Sequence, residues 1–147
     1  MKIKFQKLGK KHLKSVVEIE KASFKDPWSK KLFEKEISLQ FSSFFVALIG
    51  ERVAGYGGFW KVCNEADIVN IAVHPDFRRK GVGKKILEYL LKLARKNEIN
   101  RVFLEVRETN PSAINLYESF GFKTVGRREK YYSGEDALIL KKNLNEN

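Results

Sequence analysis

The sequence predicts an α/β (α+β) fold, a mixed central sheet of about seven strands flanked by about four helices, in one domain spanning residues 1–147. Three observations carry this expectation. Segments of period two and of period 3.6 follow one another in the order β-α-α-β-β-β-α-β-α-β-β, which neither an all-helical nor an all-strand layering accommodates. The three prolines, Pro27, Pro75 and Pro111, all fall between periodic segments. A 147-residue chain that is 43% hydrophobic, with no internal repeat, low-complexity tract or long linker, supplies one core.

Taken in order, "KIKF" reads as a first strand, and Leu13, Val16, Val17 and Ala22 form a helical stripe through "HLKSVVEIEKASF". Pro27-Trp28-Ser29 ends that helix; Ser29 caps a second, whose apolar face is Leu32, Phe33 and Ile37. "SFFVALIG" and "RVAGYGGFWKV" are strands joined by a hairpin turn at Gly50-Glu51, and Asn64-Glu65 turns the chain into the strand "DIVNIAVH". The glycines of "GYGGFW" have strand context on both sides, so they serve strand bending or the approach of a ligand. Ile86, Leu87, Leu90, Leu93 and Ala94 then recur at helical spacing, opposite Lys84, Lys85, Glu88, Lys92 and Arg95. "RVFLEV" is a fifth strand. Asn110-Pro111, an N-cap followed by proline at the first helical position, opens "SAINLYESF", which ends at Gly121. "FKTVGRR" and "ALILKK" close the chain as strands.

Several functions are disfavoured at once. The start, "MKIKFQKLGKKHLK", alternates charge with apolar residues and reads neither as a signal peptide nor as a membrane anchor, so a cytoplasmic protein without membrane partners is expected. Cys63 is the only cysteine, which excludes an intramolecular disulfide and a zinc framework. His12 and His74 are widely separated and read as satisfied loop histidines, so no metal is expected. The net charge of +11 attracts phosphate-rich or acidic partners, nucleic acid among them, but lysine abundant alongside glutamate equally describes a solvated, ion-paired surface.

The stretch "HPDFRRKGVGKK", residues 74–85, places five cations and two glycines at the mouth of the best-patterned helix. A helix N-terminus leaves backbone N–H groups unpartnered and carries about half a positive charge, so anions bind there. Without a Cβ at Gly81 and Gly83, a pyrophosphate can approach the amides closely, and Arg78, Arg79, Lys80 and Lys84 can neutralise its outer oxygens. The glycine spacing is neither that of a P-loop nor that of the dinucleotide fingerprint. On these residues alone, a small phosphate ligand and a solvated or nucleic-acid-binding basic turn are equally supported.

Arg78-x-x-Gly81-x-Gly83, after a strand and before an amphipathic helix, resembles the acetyl-coenzyme A signature of the GNAT superfamily of N-acetyltransferases. "NIAVHPDFRRKGVGKKILEYLL", "LEVRETNPSAINLYESFGF" and "YYSGEDALIL", with the earlier "DPWS", resemble over nearly the full length the RimI-type ribosomal-protein alanine N-acetyltransferases. Archaeal general N-terminal acetyltransferases share the later motifs; "DPWS" leans toward the bacterial type. The resemblance implies a GNAT fold and acetyl-coenzyme A as cosubstrate. It implies a pyrophosphate cradle at Arg78, Arg79, Lys80, Gly81, Val82, Gly83 and Lys84, and pantetheine and thioester contacts from the backbone of Ile71, Ala72 and Val73. Asn110 would add a cofactor hydrogen bond to its capping role. Glu105 would be the general base and Tyr117 the general acid, and the acceptor would be the N-terminal alanine of small-subunit ribosomal protein eighteen.

The residues themselves bear on each role. Phe103, Glu105 and Arg107 share one face of the fifth strand; a carboxylate among apolar strand residues is disfavoured as an anion, Arg107 opposes that, and a half-exposed Glu105–Arg107 pair is the plain structural reading. Tyr117 shares a helix face with Ala113, Leu116 and Phe120, where packing alone accounts for it, yet a phenol of pKa about 10 can protonate a thiolate of about 8.5. At neutral pH roughly a tenth of α-amino groups are already neutral, against about one lysine side chain in two thousand, so a modest base suits an N-terminus. Glu135 and Asp136 would offset the repulsion between a basic peptide and a basic enzyme, and Trp28, Tyr131 and Tyr132 would wall its groove or pack at its rim. The alternatives are a broad-specificity N-terminal or small-amine GNAT enzyme and a non-catalytic basic module for RNA or ribosomes.

Overall fold

The computed structural model describes residues 2–132 and 134–145, those at 130–132 by backbone alone. Its elements run β1 (Lys4–Lys7), α1 (Leu13–Ser23), α2 (Lys30–Ser38), β2 (Ser42–Ile49), β3 (Arg52–Val62), β4 (Glu65–Val73), α3 (Val82–Lys96), β5 (Arg101–Arg107), α4 (Pro111–Ser119), β6 (Lys123–Tyr132) and β7 (Glu135–Asn143). Single 3-10 turns precede α1 and follow β4. The seven strands form one sheet in the order β1-β2-β3-β4-β5-β7-β6, antiparallel throughout except between β4 and β5. A parallel pair cannot be closed by a hairpin, and α3 supplies the crossover.

Each face of the sheet has its own core. Ile86, Leu87, Leu90, Leu91 and Ala94 of α3 pack on Ala54, Phe59, Ile68, Val102, Leu104 and Leu140, with α4 alongside. On the other face Leu13, Val16 and Ile19 of α1 and Phe33 of α2 pack on Phe44, Val46, Val53, Tyr56 and Ala72. The glycines of "GYGGFW" belong to this packing. A Cβ at Gly55 or Gly57 would lie 2.9 and 2.7 Å from Ile86, and one at Gly58 would lie 2.4 Å from the Phe44 ring. They admit a helix and a ring rather than a ligand.

Several boundaries differ from the sequence reading. β1 begins at Lys4, and the β3–β4 turn is Cys63-Asn64, with Glu65 already paired to Val62; Cys63, exposed, takes φ 55° there. β6 and β7 extend well toward each other. The α1 stripe is Leu13, Val16, Ile19 and Glu20, while Ala22 is exposed; α2 buries Phe33 and Glu36 and leaves Leu32 outside. The two glutamates are buried for one reason: their carboxylates have donors on the sheet, so charge does not keep them in water.

Candidate active site

The sheet opens at one point. The β4–β5 ladder pairs Glu65–Ile68 with Arg101–Leu104 and stops there, although β4 runs on to Val73 and β5 to Arg107. The cause is visible on the other side of β4, where Gly58 pairs with Asn70 but Phe59 pairs with Ile68. Val69 is thus an extra residue, a bulge that bends β4 at the level where it leaves β5. Beyond it, Ile71, Ala72 and Val73 stay laddered to β3 through Gly57, Tyr56 and Gly55, and among the described residues no strand pairs with their β5-facing edge.

The basic loop closes the far end of this gap. Arg79 and Gly81 both take left-handed backbone, φ 62° and 80°. Gly81 is the N-cap of the 15-residue helix α3 and offers no side-chain cap to its first-turn amides. Nothing lies within 4 Å of where a Gly81 Cβ would stand. A Cβ at Gly83 would be 3.6 Å from Val73 Cγ2 and 4.0 Å from Leu116 Cδ2, so the end of β4, the first turn of α3, and α4 converge. Val82 is buried beneath this turn; Arg79, Lys80 and Lys84 are exposed around it, with the Lys80 ammonium 5.8 Å from the Phe77 ring. Arg78 turns inward. Its Nε donates to the Val73 carbonyl at 3.1 Å and its Nη2 to Ser23 Oγ at 3.2 Å, tying the loop to β4 and to the end of α1.

Glu105 is the first β5 residue beyond the last β4 pair. Its side chain lies on the α1/α2 face, over the half of the sheet that no described helix covers, and it meets Arg128 of β6 at 2.6 Å. Arg107, on the same strand, donates to Glu135 at 3.0 Å. Thr109 and Arg107 together hold the Glu135 carboxyl below the usual range, the Thr109 hydrogen bond contributing most. Asp136 pairs with Arg127, so both acids proposed to attract a basic peptide already have arginine partners. Asp67 on β4, next to Glu105, is pushed up, first by desolvation and then by the charges of Glu65 and Glu105.

Tyr117 lies on α4 one residue after Leu116, half-buried, its ring 5.8 Å from that of Phe122. Asn110 caps α4, its Oδ1 accepting from the Ala113 amide at 3.2 Å. Trp28, half-buried in the α1–α2 connection, packs on Phe33 and Phe44 at centroid distances of 5.3 and 6.1 Å. The side chains of Tyr131 and Tyr132 lie outside the described residues. His12 and His74 each accept a backbone N–H at Nδ1, from Gly9 and Asp76 respectively. Among the described residues no group of three or more His, Cys, Asp or Glu is placed to hold a metal ion, and no helix is long and apolar enough to cross a membrane.

The region therefore brings together a helix start with no side-chain N-cap, a split between parallel strands, the Glu105 carboxylate beside that split, and α4, which carries Tyr117 and meets the first turn of α3. The chain belongs to the acetyltransferase (GNAT) family, which it matches over residues 13–122, and acetyl-coenzyme A is its cosubstrate. The [ribosomal protein bS18]-alanine N-acetyltransferase of Escherichia coli is 36% identical over 132 residues, 87% of this chain and 88% of that one. The crystal structure of the ribosomal-protein-S18-alanine N-acetyltransferase from Escherichia coli superimposes with a TM-score of 0.90 at 33% identity, covering 97% of this chain and 94% of that one. Ard1 from Thermoplasma volcanium superimposes with a TM-score of 0.92 at 28% identity, covering 97% and 98%.

Proposed function

We propose that this cytoplasmic enzyme acetylates the N-terminal α-amino group of a protein, with an alanine-first ribosomal protein, bS18, as the acceptor. The observation that carries the acceptor is the similarity to bS18-alanine acetyltransferases across 87% of the chain. In the chemistry, Arg78, Arg79, Lys80, Gly81, Val82, Gly83 and Lys84 form the diphosphate cradle: the α3 amides and exposed cations bind oxygens, while Arg78 braces the loop. Asn110 adds a side-chain donor beside its cap. Backbone N–H groups of the Ile71–Val73 segment donate to the thioester oxygen as negative charge develops there. Glu105 takes the proton that the amine gives up as its nitrogen bonds to the acyl carbon, and Tyr117 delivers a proton to the sulfur as the C–S bond breaks.

The test is a panel offered with acetyl-coenzyme A: peptides differing in their first residue, an internal-lysine peptide and polyamines, with mass spectrometry locating the acetyl group. N-terminal acetylation of the alanine peptides is expected. Product only on lysine or polyamine would overturn the acceptor class, and indifference to the first residue would establish broad N-terminal specificity in place of the bS18 type. A basic RNA-binding module would instead bind RNA with a steep salt dependence and ignore acetyl-coenzyme A.

A further inference from the structure

Glu20 is 1% exposed, on the core-facing stripe of α1. A buried carboxylate costs several kcal/mol unless donors surround it, and an apolar residue of similar volume would fill the same space at no such cost. Leu13, Val16 and Ile19 already anchor the helix, so the residue type at position 20 requires another reason.

Its hydrogen bonds supply one. Oε2 accepts the backbone N–H of Trp28 at 2.9 Å, in the connection between α1 and α2. Oε1 accepts the Asn70 side-chain amide at 2.8 Å and the Tyr56 hydroxyl. Burial first, and then the charge of Glu20 and the hydrogen bond to it, raises the Tyr56 phenol far above its ordinary value, so Tyr56 is a permanent donor. One oxygen therefore holds a loop and the other holds the sheet.

On the functional reading above, the two places it joins would serve the two sides of the reaction. Asn70 is the residue between the Val69 bulge and the Ile71–Val73 segment assigned to the thioester. Trp28 is the loop aromatic on the sheet face on which Glu105 lies, and the end of α1 that leads into this loop is tied to the basic turn through Ser23 and Arg78. We propose that Glu20 is a positioning residue for acetyl transfer, fixing the acceptor-side loop relative to the bulged strand so that amine and thioester meet in register. The proposal rests on the functional reading above.

Glu20→Gln keeps the volume but must turn an amide nitrogen toward the Trp28 N–H or toward the sheet donors, so at least one of the bonds is lost. Expected is a fall in kcat/KM for the alanine-first peptide of about ten- to a hundredfold, as for a displacement on the order of 1 Å, with the calorimetric Kd for acetyl-coenzyme A within about twofold of wild type. Wild-type kcat and KM per folded molecule would overturn the positioning role. Asn70→Ser is read beside it, and carries the test if Glu20→Gln does not fold: a comparable loss is expected in the single variant and little further loss in the double. Losses that simply add, or an Asn70→Ser enzyme with wild-type kinetics, would overturn the proposal. A wild-type protein inactive on every amine would instead overturn the functional reading, and this proposal with it.

Discussion

The Glu105 carboxylate and the Arg128 guanidinium lie 2.6 Å apart, joined across the intervening strand β7 from β5 and β6. Arg128 is 53% exposed, so water screens the pair and its net worth is about 0–1 kcal/mol. An arriving amine can replace the guanidinium at little cost. Arg128 thus keeps Glu105 partnered on the open face without locking it, which is what the base role proposed for Glu105 would require.

Glu105→Gln retains shape and loses proton affinity. Turnover in a thiol-release assay is expected to fall by about 10²- to 10⁴-fold, the usual contribution of a general base, with acetyl-coenzyme A binding by calorimetry unchanged. Wild-type turnover would remove Glu105 from the chemistry.

Asp67 tests the electrostatics of the same face. Its folded-state carboxyl is raised by desolvation, Glu65 and Glu105, so the folded state binds protons more tightly than the unfolded chain between the unfolded and folded values. Stability is lost as pH rises through that window, and Asp67 is a small liability at neutral pH. Asp67→Asn should raise Tm at pH 7, by no more than about 0.5 kcal/mol equivalent because the side chain is exposed. The gain should vanish below the ordinary carboxylate range. Thermal melts across pH check the sign; a destabilised variant at pH 7 would refute it.

The element order was legible because each element announces itself over many residues: the α3 periodicity, the Asn110-Pro111 start and the alternation in "RVFLEV" needed no tertiary information. The basic loop was legible because its glycines and cations are contiguous. What was not legible depends on partners distant in sequence. Glu20 meets Asn70 across 50 residues and Glu36 meets Trp60 across 24, and the local sequence names neither partner. The Val69 bulge shows only as a slip in register against β3, and the Arg107 and Arg128 pairings are decided by β6 and β7, which fold back past β5. A usable signal existed for Glu20 alone: it occupies the i+4 position from Val16 on an otherwise apolar stripe, which argues for burial with donors.

Tyr117→Phe separates packing from proton delivery. The ring keeps its place against Phe122 and the core, so Tm is expected to stay close to wild type. Turnover should fall by about ten- to a thousandfold, as for a general acid whose replacement by water is poor. Wild-type rates of thiol release would refute the role.

Gly58→Ala tests the fold beneath the site. A Cβ there would stand 2.4 Å from the Phe44 ring, in a core already filled by Phe33 and Trp28. A loss of about 1–3 kcal/mol is expected from overpacking, read in a urea melt. An unchanged midpoint would mean that Phe44 shifts freely, contrary to its burial at 3% exposure.

Gly81 and Gly83 look alike in sequence and differ in what they are for. Gly81, at φ 80°, is in a conformation that costs an L-residue about 1–2 kcal/mol, so alanine there strains the backbone although the space is empty. Gly83 lies inside α3, and a methyl group would meet Val73 and Leu116 only at ordinary contact distances of 3.6 and 4.0 Å. Nothing in the fold requires glycine at 83. The diphosphate cradle proposed above would, through close approach to the first-turn amides. Gly83→Ala should therefore raise stability by up to about 1 kcal/mol, the helical preference of alanine over glycine, while weakening acetyl-coenzyme A binding at least about tenfold, or 1.4 kcal/mol. Opposite signs in a thermal melt and a calorimetric titration of one variant are the expected result. Matched affinity at higher stability would show that the ligand does not come close to Gly83, and the cradle would have to be placed elsewhere.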